Sequence, residues 1–336
     1  MNYANIDDLL SEIRTDFKSK SKTRRFQERI DEFNKLHPRR FQEFLQKHIP
    51  NTNREYDAAE MRQNPPFADA YIVGSDNVWA SVNRCSFLDF APLGRLRIAY
   101  AVSAPWNELS AYWHAKARKS IAGLHAVSVR EVDGIKVCRE LGRTDSVQVL
   151  DPTLLLEARD YRKISGMSKI TQRSNANNVL AYFLNIEQPE IFPEKLLRDY
   201  TSKVGGTLQV VPLQGTELCV SEDLISTPDP TEWLEAIDRS RCVVTNSFHG
   251  MVFSIIFRKP FIIFPQIVDR RLSLSSRFSS LLTTLGIENR VFRGQSAEEL
   301  VTLMNQPIDW EAAYANLRIQ REKSLEFLLN ALKARK

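Results

Sequence analysis

His249 lies in a segment whose residue types could support acid–base chemistry. The segment reads VVTNSFHGMVFSIIF over residues 243–257, a β-branched run followed by an apolar run suited to a buried helix. Ser247 is the predicted N-cap, so the amides of residues 248–250, including those of Phe248 and Gly250, face an anion at the positive end of the helix dipole. A bound phosphate would keep His249 protonated as a general acid. The alternative is a structural histidine that caps the helix or bonds a neighbouring loop.

Arginines follow the next apolar run, FIIF (261–264). Arg270 and Arg277 lie within QIVDRRLSLSSRFSSLLTTLG (266–286), and Arg277 opens an apolar helical pattern. A guanidinium group can bind a carboxylate or a phosphate through two hydrogen bonds. We therefore expect Arg277, and less directly Arg270, to bind an anion near His249. Exposed arginines on a helix surface are the alternative.

Polar residues also end the strands that we predict in the first half of the chain. Ser75 and Asp76 follow YIVG (71–74), Ser103 ends RIAYAVS (97–103), and Arg130 with Glu131 closes AVSVR (126–130). Ligands of open α/β sheets bind at the carboxyl ends of the strands. Asp76 could bind a sugar hydroxyl, act as a base or cap a turn, and Arg130 with Glu131 could bind substrate or form an internal ion pair.

One aromatic residue near these strand ends also has two interpretations. Trp79 could stack on a sugar ring or pack in the core. Asp151, which follows VQVL (147–150), is predicted to form a structural turn.

The elements that must position these residues alternate between strands and helices. Four predicted strands, with helical patterns before the third and the fourth, precede a polar break at 165–178. A second series of strands alternating with helices follows, with strands at 179–184, 207–213, 242–245 and 261–264. This alternation predicts an α/β fold of two Rossmann-like domains that face a cleft, one over residues 1–165 and the other over 166–336. A last helix over 310–332 has apolar positions suited to crossing back to the first domain.

Composition restricts the class of protein. The chain has 336 residues, 43% hydrophobic and 26% charged, and no apolar run approaches the ~20 residues of a membrane helix. The start has no signal-peptide pattern, and the four cysteines are scattered, so we expect a cytoplasmic protein without a metal site or disulfides.

Positive charge is concentrated near the start of the chain. The net charge is +5, and KSKSKTRRFQER (18–29) has six Lys or Arg and one Glu. A solvated helix face is one explanation; an anionic membrane surface or a lipid-diphosphate substrate is another. Nucleic acid is disfavoured because no known nucleic-acid-binding motif accompanies the charge.

Several blocks of the sequence resemble the polysaccharide pyruvyl transferase family. They occur in the family's order between residues 69 and 293: DAYIVGSDNVW (69–79), FLDFAP (87–92), AYAVS (99–103), SVRE (128–131), VLDPTLLL (149–156), TNSFHGMVFSIIFRKPF (245–261) and SSRFSSLLTTLGIENR (275–290). Each block is weak alone, whereas the ordered series is specific.

The resemblance implies a fold similar to GT-B glycosyltransferases and an activity. The family transfers pyruvate from phosphoenolpyruvate to two hydroxyls of a sugar as a cyclic ketal, in a polysaccharide or its lipid-linked precursor, without a cofactor. On this basis the catalytic residues are His249 and Asp76. The second domain binds the donor, and the first binds the acceptor. The expected donor residues are Ser247, Phe248, Gly250, Arg270 and Arg277; the expected acceptor residues are Ser75, Trp79, Ser103, Arg130 and Glu131.

Two departures from the family pattern leave alternatives open. Many members have an arginine where this chain has Ser247, and members commonly begin with an apolar strand and a Gly/Asn-rich loop where this chain has polar helices. Donor charge must then be met elsewhere, and acceptor binding is in question. A nucleotide-sugar glycosyltransferase and a non-catalytic glycan-binding or assembly protein are the other hypotheses, together with peripheral association at the inner face of the membrane.

Overall fold

The computed structural model describes residues 24–52, 54–79, 85–103, 111–166, 177–268 and 271–333. Two parallel four-stranded sheets dominate these residues. Sheet 1 has the order β1-β2-β3-β4, and sheet 2 the order β6-β5-β7-β8. The predicted α/β class with two parallel sheets is confirmed.

Sheet 1 is built from the first half of the chain. Its strands are β1 (Ala70–Gly74), β2 (Leu96–Val102), β3 (Ala126–Val129) and β4 (Val147–Gln148). Ile98, Ala99, Val127 and Val129 are almost completely buried, as the near-continuous apolar runs of a parallel sheet require.

Sheet 2 is built from the second half. Its strands are β5 (Asn178–Leu184), β6 (Thr207–Leu213), β7 (Cys242–Thr245) and β8 (Phe261–Ile263). A short antiparallel hairpin, β9 (Gln266–Val268) with β10 (Arg271–Ser273), follows it. The sequence did not predict this hairpin, since three-residue strands leave little alternation to detect.

Helices connect the strands. Residues 24–36 are helical (α1), and the other helices are α2 (Phe41–His48), α3 (Ala58–Gln63), α4 (Ala111–Ala122), α5 (Val132–Glu140), α6 (Ala158–Ile164), α7 (Glu194–Lys203), α8 (Pro230–Arg239), α9 (Phe248–Ile256), α10 (Ser276–Leu285), α11 (Ala297–Asn305) and α12 (Trp310–Lys333). None of the helices in the described ranges combines the length and the apolarity that a membrane crossing requires.

The chain divides into two compact units, each with one sheet. Of the described residues, the sheet-1 unit contains 49–163, 265–291 and 306–333, and the sheet-2 unit contains 24–48, 164–264 and 292–305. The predicted division after residue 165 differs from this one in three places. Helices α1 and α2 belong to the sheet-2 unit, whereas α10 and α12 belong to the sheet-1 unit.

Side-chain packing explains these exchanges. Arg39 donates to the Pro212 carbonyl (2.6 Å), and Arg40 pairs with Asp229 (2.8 Å), which ties the α1–α2 segment to the sheet-2 unit. In the sheet-1 unit, the backbone amide of Val132 at the start of α5 donates to Ser280 Oγ of α10 (3.3 Å).

Helix α12 completes the sheet-1 unit. The Ser324 hydroxyl accepts from the Leu150 amide (2.9 Å), and Arg321 Nε donates to the Leu154 carbonyl (2.9 Å). Phe327 packs near Tyr100 of β2, with ring centroids 6.4 Å apart. The predicted return of the last helix to the first half of the chain is confirmed.

Candidate functional site

The turn that holds His249 is fixed by hydrogen bonds between β7 and β5. Thr245 Oγ1 donates to the Tyr182 carbonyl (2.6 Å) and accepts from the Ser247 amide (2.9 Å). Asn246 binds the end of β5 through both side-chain atoms, since Oδ1 accepts from the Leu184 amide and Nδ2 donates to its carbonyl (2.8 Å each). The backbone that enters α9 is therefore rigidly placed at the carboxyl end of sheet 2.

Ser247 caps α9, and His249 follows on its first turn. Ser247 Oγ accepts from the Gly250 amide (3.3 Å), as the sequence predicts for an N-cap. The side chain of His249 is half-buried, with its ring 5.5 Å from that of Phe248. Phe248 itself is 3% exposed, so its ring packs in the interior and only its backbone remains suited to a ligand.

Gly250 has a different role from the one the sequence suggested. A Cβ at this position would lie 2.4 Å from Thr245 Oγ1 and 3.0 Å from the Tyr182 ring. Glycine is thus required for the close packing of α9 on sheet 2, and the Gly250 amide is engaged by Ser247. This corrects the expectation that the Gly250 amide faces an anion.

Two residues that the sequence analysis did not select lie beside this turn. The Tyr182 hydroxyl interacts with Ser247, and burial raises the pKa of Tyr182 to about 12 although nearby Arg39 and the Ser247 hydrogen bond oppose the shift. Arg39 is 6% exposed, and burial lowers the pKa of its guanidinium against the opposing charge of Glu217. The sheet-2 unit therefore holds a buried positive charge near this turn.

The sheet-1 unit brings most of the other predicted residues together around Arg130. We call this group the Arg130 cluster; its members are Ser75, Asp76, Ser103, Arg130, Glu131, Asp151 and Arg277. They follow the carboxyl ends of β1 to β4 or begin α10, because parallel strands end at the same edge of their sheet.

Three carboxylates surround the Arg130 guanidinium. Nη2 donates to Asp76 (2.8 Å), Nη1 to Asp151 (3.1 Å) and Nε to Glu131 (3.3 Å). Burial alone would lower the pKa of Arg130, but these carboxylates outweigh it and the pKa is raised. With only 2% of the side chain exposed, Arg130 is engaged within the protein. The internal ion pair is therefore the better interpretation, and the expected acceptor role of Arg130 and its partner Glu131 is corrected.

Serines complete the buried part of the cluster. Ser75 Oγ donates to Asp151 Oδ2 (2.8 Å), and Ser103 Oγ donates to Glu131 Oε1 (2.7 Å). Ser75 has a φ of +69°, a left-handed conformation that non-glycine residues adopt rarely. Its hydroxyl and the Ser103 hydroxyl thus serve the interior of the cluster.

Asp76 and Arg277 form its more exposed edge. Asp76 Oδ1 accepts from Arg130 and, at 3.1 Å, from Arg277 Nη1, while Arg277 Nε donates to Ser275 Oγ (3.2 Å). The pKa of Arg277 is lowered, chiefly by burial; Asp76 opposes this shift and Arg130 adds to it. Within the described part of the chain Nη2 of Arg277 makes no hydrogen bond, and 23% of the side chain is exposed.

The remaining predicted residues do not join either group. Trp79 is fully buried, stacks on Phe87 (4.8 Å) and donates to the Ser86 carbonyl (2.9 Å). It packs in the core, and neither face of its indole is available to a sugar, which corrects that expectation. Arg270 lies outside the described residues.

Asp151 was predicted only to form a turn, whereas the structure makes it part of the Arg130 cluster. It is 1% exposed and accepts from Arg130, Ser75 and the amide of Thr153 (3.0 Å). Its place directly after a predicted strand was the available signal. Arg39 and Tyr182 gave no such signal, because their partners are distant in sequence. Among the described residues, no group of three or more His, Cys, Asp or Glu is placed to hold a metal ion.

Comparisons with known proteins identify the family. The polysaccharide pyruvyl transferase family model matches residues 2–266 of the 336-residue chain, a range that includes His249 and ends before Arg277. No curated protein matches the chain significantly in sequence. One solved structure, UDP-N-acetylglucosamine 2-epimerase from Rickettsia bellii, aligns with a TM-score of 0.49 and 9% identity over 90% of this chain and 86% of that one. That similarity is too low to support an argument. The family match covers well over half of the sequence, and the chain belongs to the polysaccharide pyruvyl transferase family, a family of transferase enzymes.

Proposed function

We propose that the protein transfers pyruvate from phosphoenolpyruvate to two hydroxyls of a sugar, forming a ketal and releasing phosphate. The family implies a pyruvate donor and a sugar acceptor. The observation that supports the finer statement is the position of His249, on the first turn of a capped helix at the carboxyl end of sheet 2. A helix N-terminus favours an anion, and phosphoenolpyruvate has two anionic groups.

His249 is the proposed acid. Peptide N–H groups of a helix point towards its N-terminus, so those of the first turn of α9 favour the donor phosphate there. A phosphate at that place stabilises the imidazolium form of His249. The turn is held by Thr245, Asn246 and Ser247, which fixes the backbone that carries the imidazole.

The reaction balances with this single acid. His249 gives its proton to the methylene carbon of phosphoenolpyruvate, and positive charge develops at C2. The first sugar hydroxyl adds to C2 and returns its proton to His249. The C2–O bond to phosphate then breaks, with the His249 proton passing to the leaving phosphate. The second hydroxyl adds to C2 and gives its proton to the neutral His249, which closes the ketal and restores the acid. No redox step occurs, and we propose that no cofactor takes part.

Arg277 is the proposed partner of the donor's second anionic group. Its support is the partly exposed guanidinium in which Nη2 makes no hydrogen bond with the described residues. Asp76, the second predicted catalytic residue, binds Arg130 and Arg277 through one oxygen. We therefore propose that Asp76 positions Arg277 and that proton transfer belongs to His249.

A lipid-linked acceptor and a location at the inner face of the membrane also remain proposals. Their support is the basic segment 18–29, of which Arg24, Arg25 and Arg29 are exposed on α1. Sedimentation with vesicles of mixed neutral and anionic lipid would test the membrane location. The protein is expected to bind these vesicles at low salt and to lose this binding at high salt. Equal sedimentation with neutral vesicles would exclude the electrostatic attachment.

The decisive experiment is a transfer assay. The protein is incubated with phosphoenolpyruvate and a panel of oligosaccharides, and mass spectrometry detects the added pyruvate ketal while a phosphate assay detects release. A thermal-shift panel runs beside it, in which stabilisation by phosphoenolpyruvate is expected and stabilisation by UDP or GDP alone would favour a glycosyltransferase. No ketal on any oligosaccharide, together with no response to phosphoenolpyruvate, would overturn the proposal.

A further inference from the structure

The sheet-2 unit contains a cavity that the proposed reaction does not use. Its volume is about 620 Å³, within the range of roughly 300–1,000 Å³ typical of small-ligand sites. It lies between one face of α1, including Phe26, Ile30 and Asn34, and the segments after β5 and β6, including Glu187 and Gln214. The cavity therefore opens at the carboxyl ends of parallel strands, where α/β sheets bind ligands.

The polar lining offers both donors and acceptors. Gln27, Asn34 and Gln214 supply amides, each with two N–H donors and a carbonyl oxygen, while Glu187 and Glu217 supply carboxylate oxygens. Such a mixed set suits a ligand whose groups both donate and accept, as sugar hydroxyls do.

The apolar lining offers flat surfaces. The rings of Phe26 and Phe41 border the cavity, and Phe41 is 50% exposed. Phe26 lies against the backbone of Gly215, where an added Cβ would come within 2.9 Å of the ring. A pyranose has apolar C–H faces that pack on aromatic rings, so the two sets of groups match the two kinds of surface on a sugar.

Arg39 and Glu217 are the buried charged groups of this lining, and the hydrogen bonding of Arg39 is incomplete. Its Nη2 donates to the Pro212 carbonyl (2.6 Å) and lies 3.9 Å from Glu217. Among the described residues, its buried Nε has no hydrogen-bond partner. A buried polar group that makes no hydrogen bond costs free energy. A ligand or an ordered water in the cavity can recover it by accepting a hydrogen bond from Arg39 once the guanidinium has rearranged.

Charge balance decides the class of ligand. Arg39 is opposed by Glu217, and Glu187 adds a second carboxylate to the lining. One arginine and two glutamates therefore give the cavity lining a net charge of −1 when His37 is counted as neutral. That balance disfavours phosphoenolpyruvate, nucleoside diphosphates and other anions. We propose that the cavity binds a neutral sugar residue.

The location of the cavity connects it with the transfer reaction. Strand β5 lies between β6, which borders the cavity, and β7, which leads to His249, and neighbouring strands are about 4.8 Å apart. Arg39 of the cavity influences Tyr182, whose hydroxyl interacts with Ser247. If the proposed function holds, on which this step rests, the bound residue belongs to the acceptor glycan, outside the sugar that receives the ketal.

A direct binding experiment tests the cavity without the reaction. Saturation-transfer NMR and titration use glucose, galactose, mannose and N-acetylglucosamine as neutral probes, and phosphoenolpyruvate and inorganic phosphate as anionic probes. Asn34→Leu removes polar groups and fills space, and Lys35→Leu, on an exposed neighbour that does not line the cavity, is its control. Glu187→Ala is the second variant, with exposed Glu190→Ala as control.

The expected result is binding of at least one neutral sugar, with Kd raised about tenfold by Asn34→Leu and by Glu187→Ala, and unchanged in both controls. Three results would overturn the inference. Either no neutral sugar binds, or the sugar Kd of both cavity variants equals that of the wild type, or the variants change the Kd of an anionic probe instead.

The transfer assay separates this inference from the proposed function. In that assay the cavity variants should raise KM for the oligosaccharide while kcat and KM for phosphoenolpyruvate stay unchanged. Sugar binding that depends on Asn34, without any ketal formed, would support the cavity and refute the transfer. Ketal formation with an unchanged oligosaccharide KM in both cavity variants would refute the cavity alone.

Discussion

Replacing Arg130 separates a structural from a substrate-binding role for the centre of the Arg130 cluster. Arg130→Met keeps an unbranched aliphatic stem and removes the charge. It leaves Asp151 and Glu131, 1% and 4% exposed, without their positive partner. Removing one member of a buried ion pair costs roughly 3–5 kcal/mol, because the remaining charge stays desolvated. Asp76 adds little, since 38% of its side chain is exposed and Arg277 still contacts it.

The loss is large compared with the roughly 5–15 kcal/mol by which proteins are usually stable. Urea unfolding followed by circular dichroism should show the midpoint lowered by at least about 1 M. Arg95→Met is the matched control in the same unit, since Arg95 pairs at 3.2 Å with Asp69, which is 95% exposed. An exposed pair contributes about 0–1 kcal/mol, so this control should unfold close to wild type.

Equal midpoints for the two variants would refute the reasoning. If Arg130→Met then kept its stability but showed a raised KM for the oligosaccharide, the substrate-binding role first expected from the sequence would be restored.

Three further substitutions give separable outcomes. His249→Ala should lower kcat for pyruvyl transfer at least about 100-fold, about 2.7 kcal/mol of barrier, with little change in melting temperature; retained activity would assign the acid elsewhere. Arg277→Ala should raise the Kd of phosphoenolpyruvate roughly tenfold or more in a calorimetric titration, and an unchanged Kd would remove it from donor binding. Gly250→Ala should destabilise the fold by about 1–3 kcal/mol in thermal unfolding, since the added Cβ meets Thr245 Oγ1 at 2.4 Å; a more stable variant would contradict the packing argument.

The candidate site was predictable where it depends on neighbours in sequence. Ser247, two residues before His249, caps α9 because serine accepts from the helix's early amides. Ser75, Asp76, Ser103, Arg130 and Glu131 meet because each follows a parallel strand of one sheet. The sequence left open whether Arg130 and Glu131 bind substrate or pair internally, since the three carboxylates on Arg130 come from segments up to 54 residues away.

The sequence alone therefore determined the strands of the two parallel sheets, most helices, the α/β class and the family, because each depends on local periodicity, capping or ordered motifs. Only the tertiary structure decided that α10 belongs with sheet 1 and that α1 and α2 belong with sheet 2. It also decided that Trp79 is core and that Arg39 and Asp151 are buried charges. The physical reason is that the sequence shows which apolar helix faces and charged side chains require a partner. Which partner each one contacts depends on packing between segments that are distant along the chain.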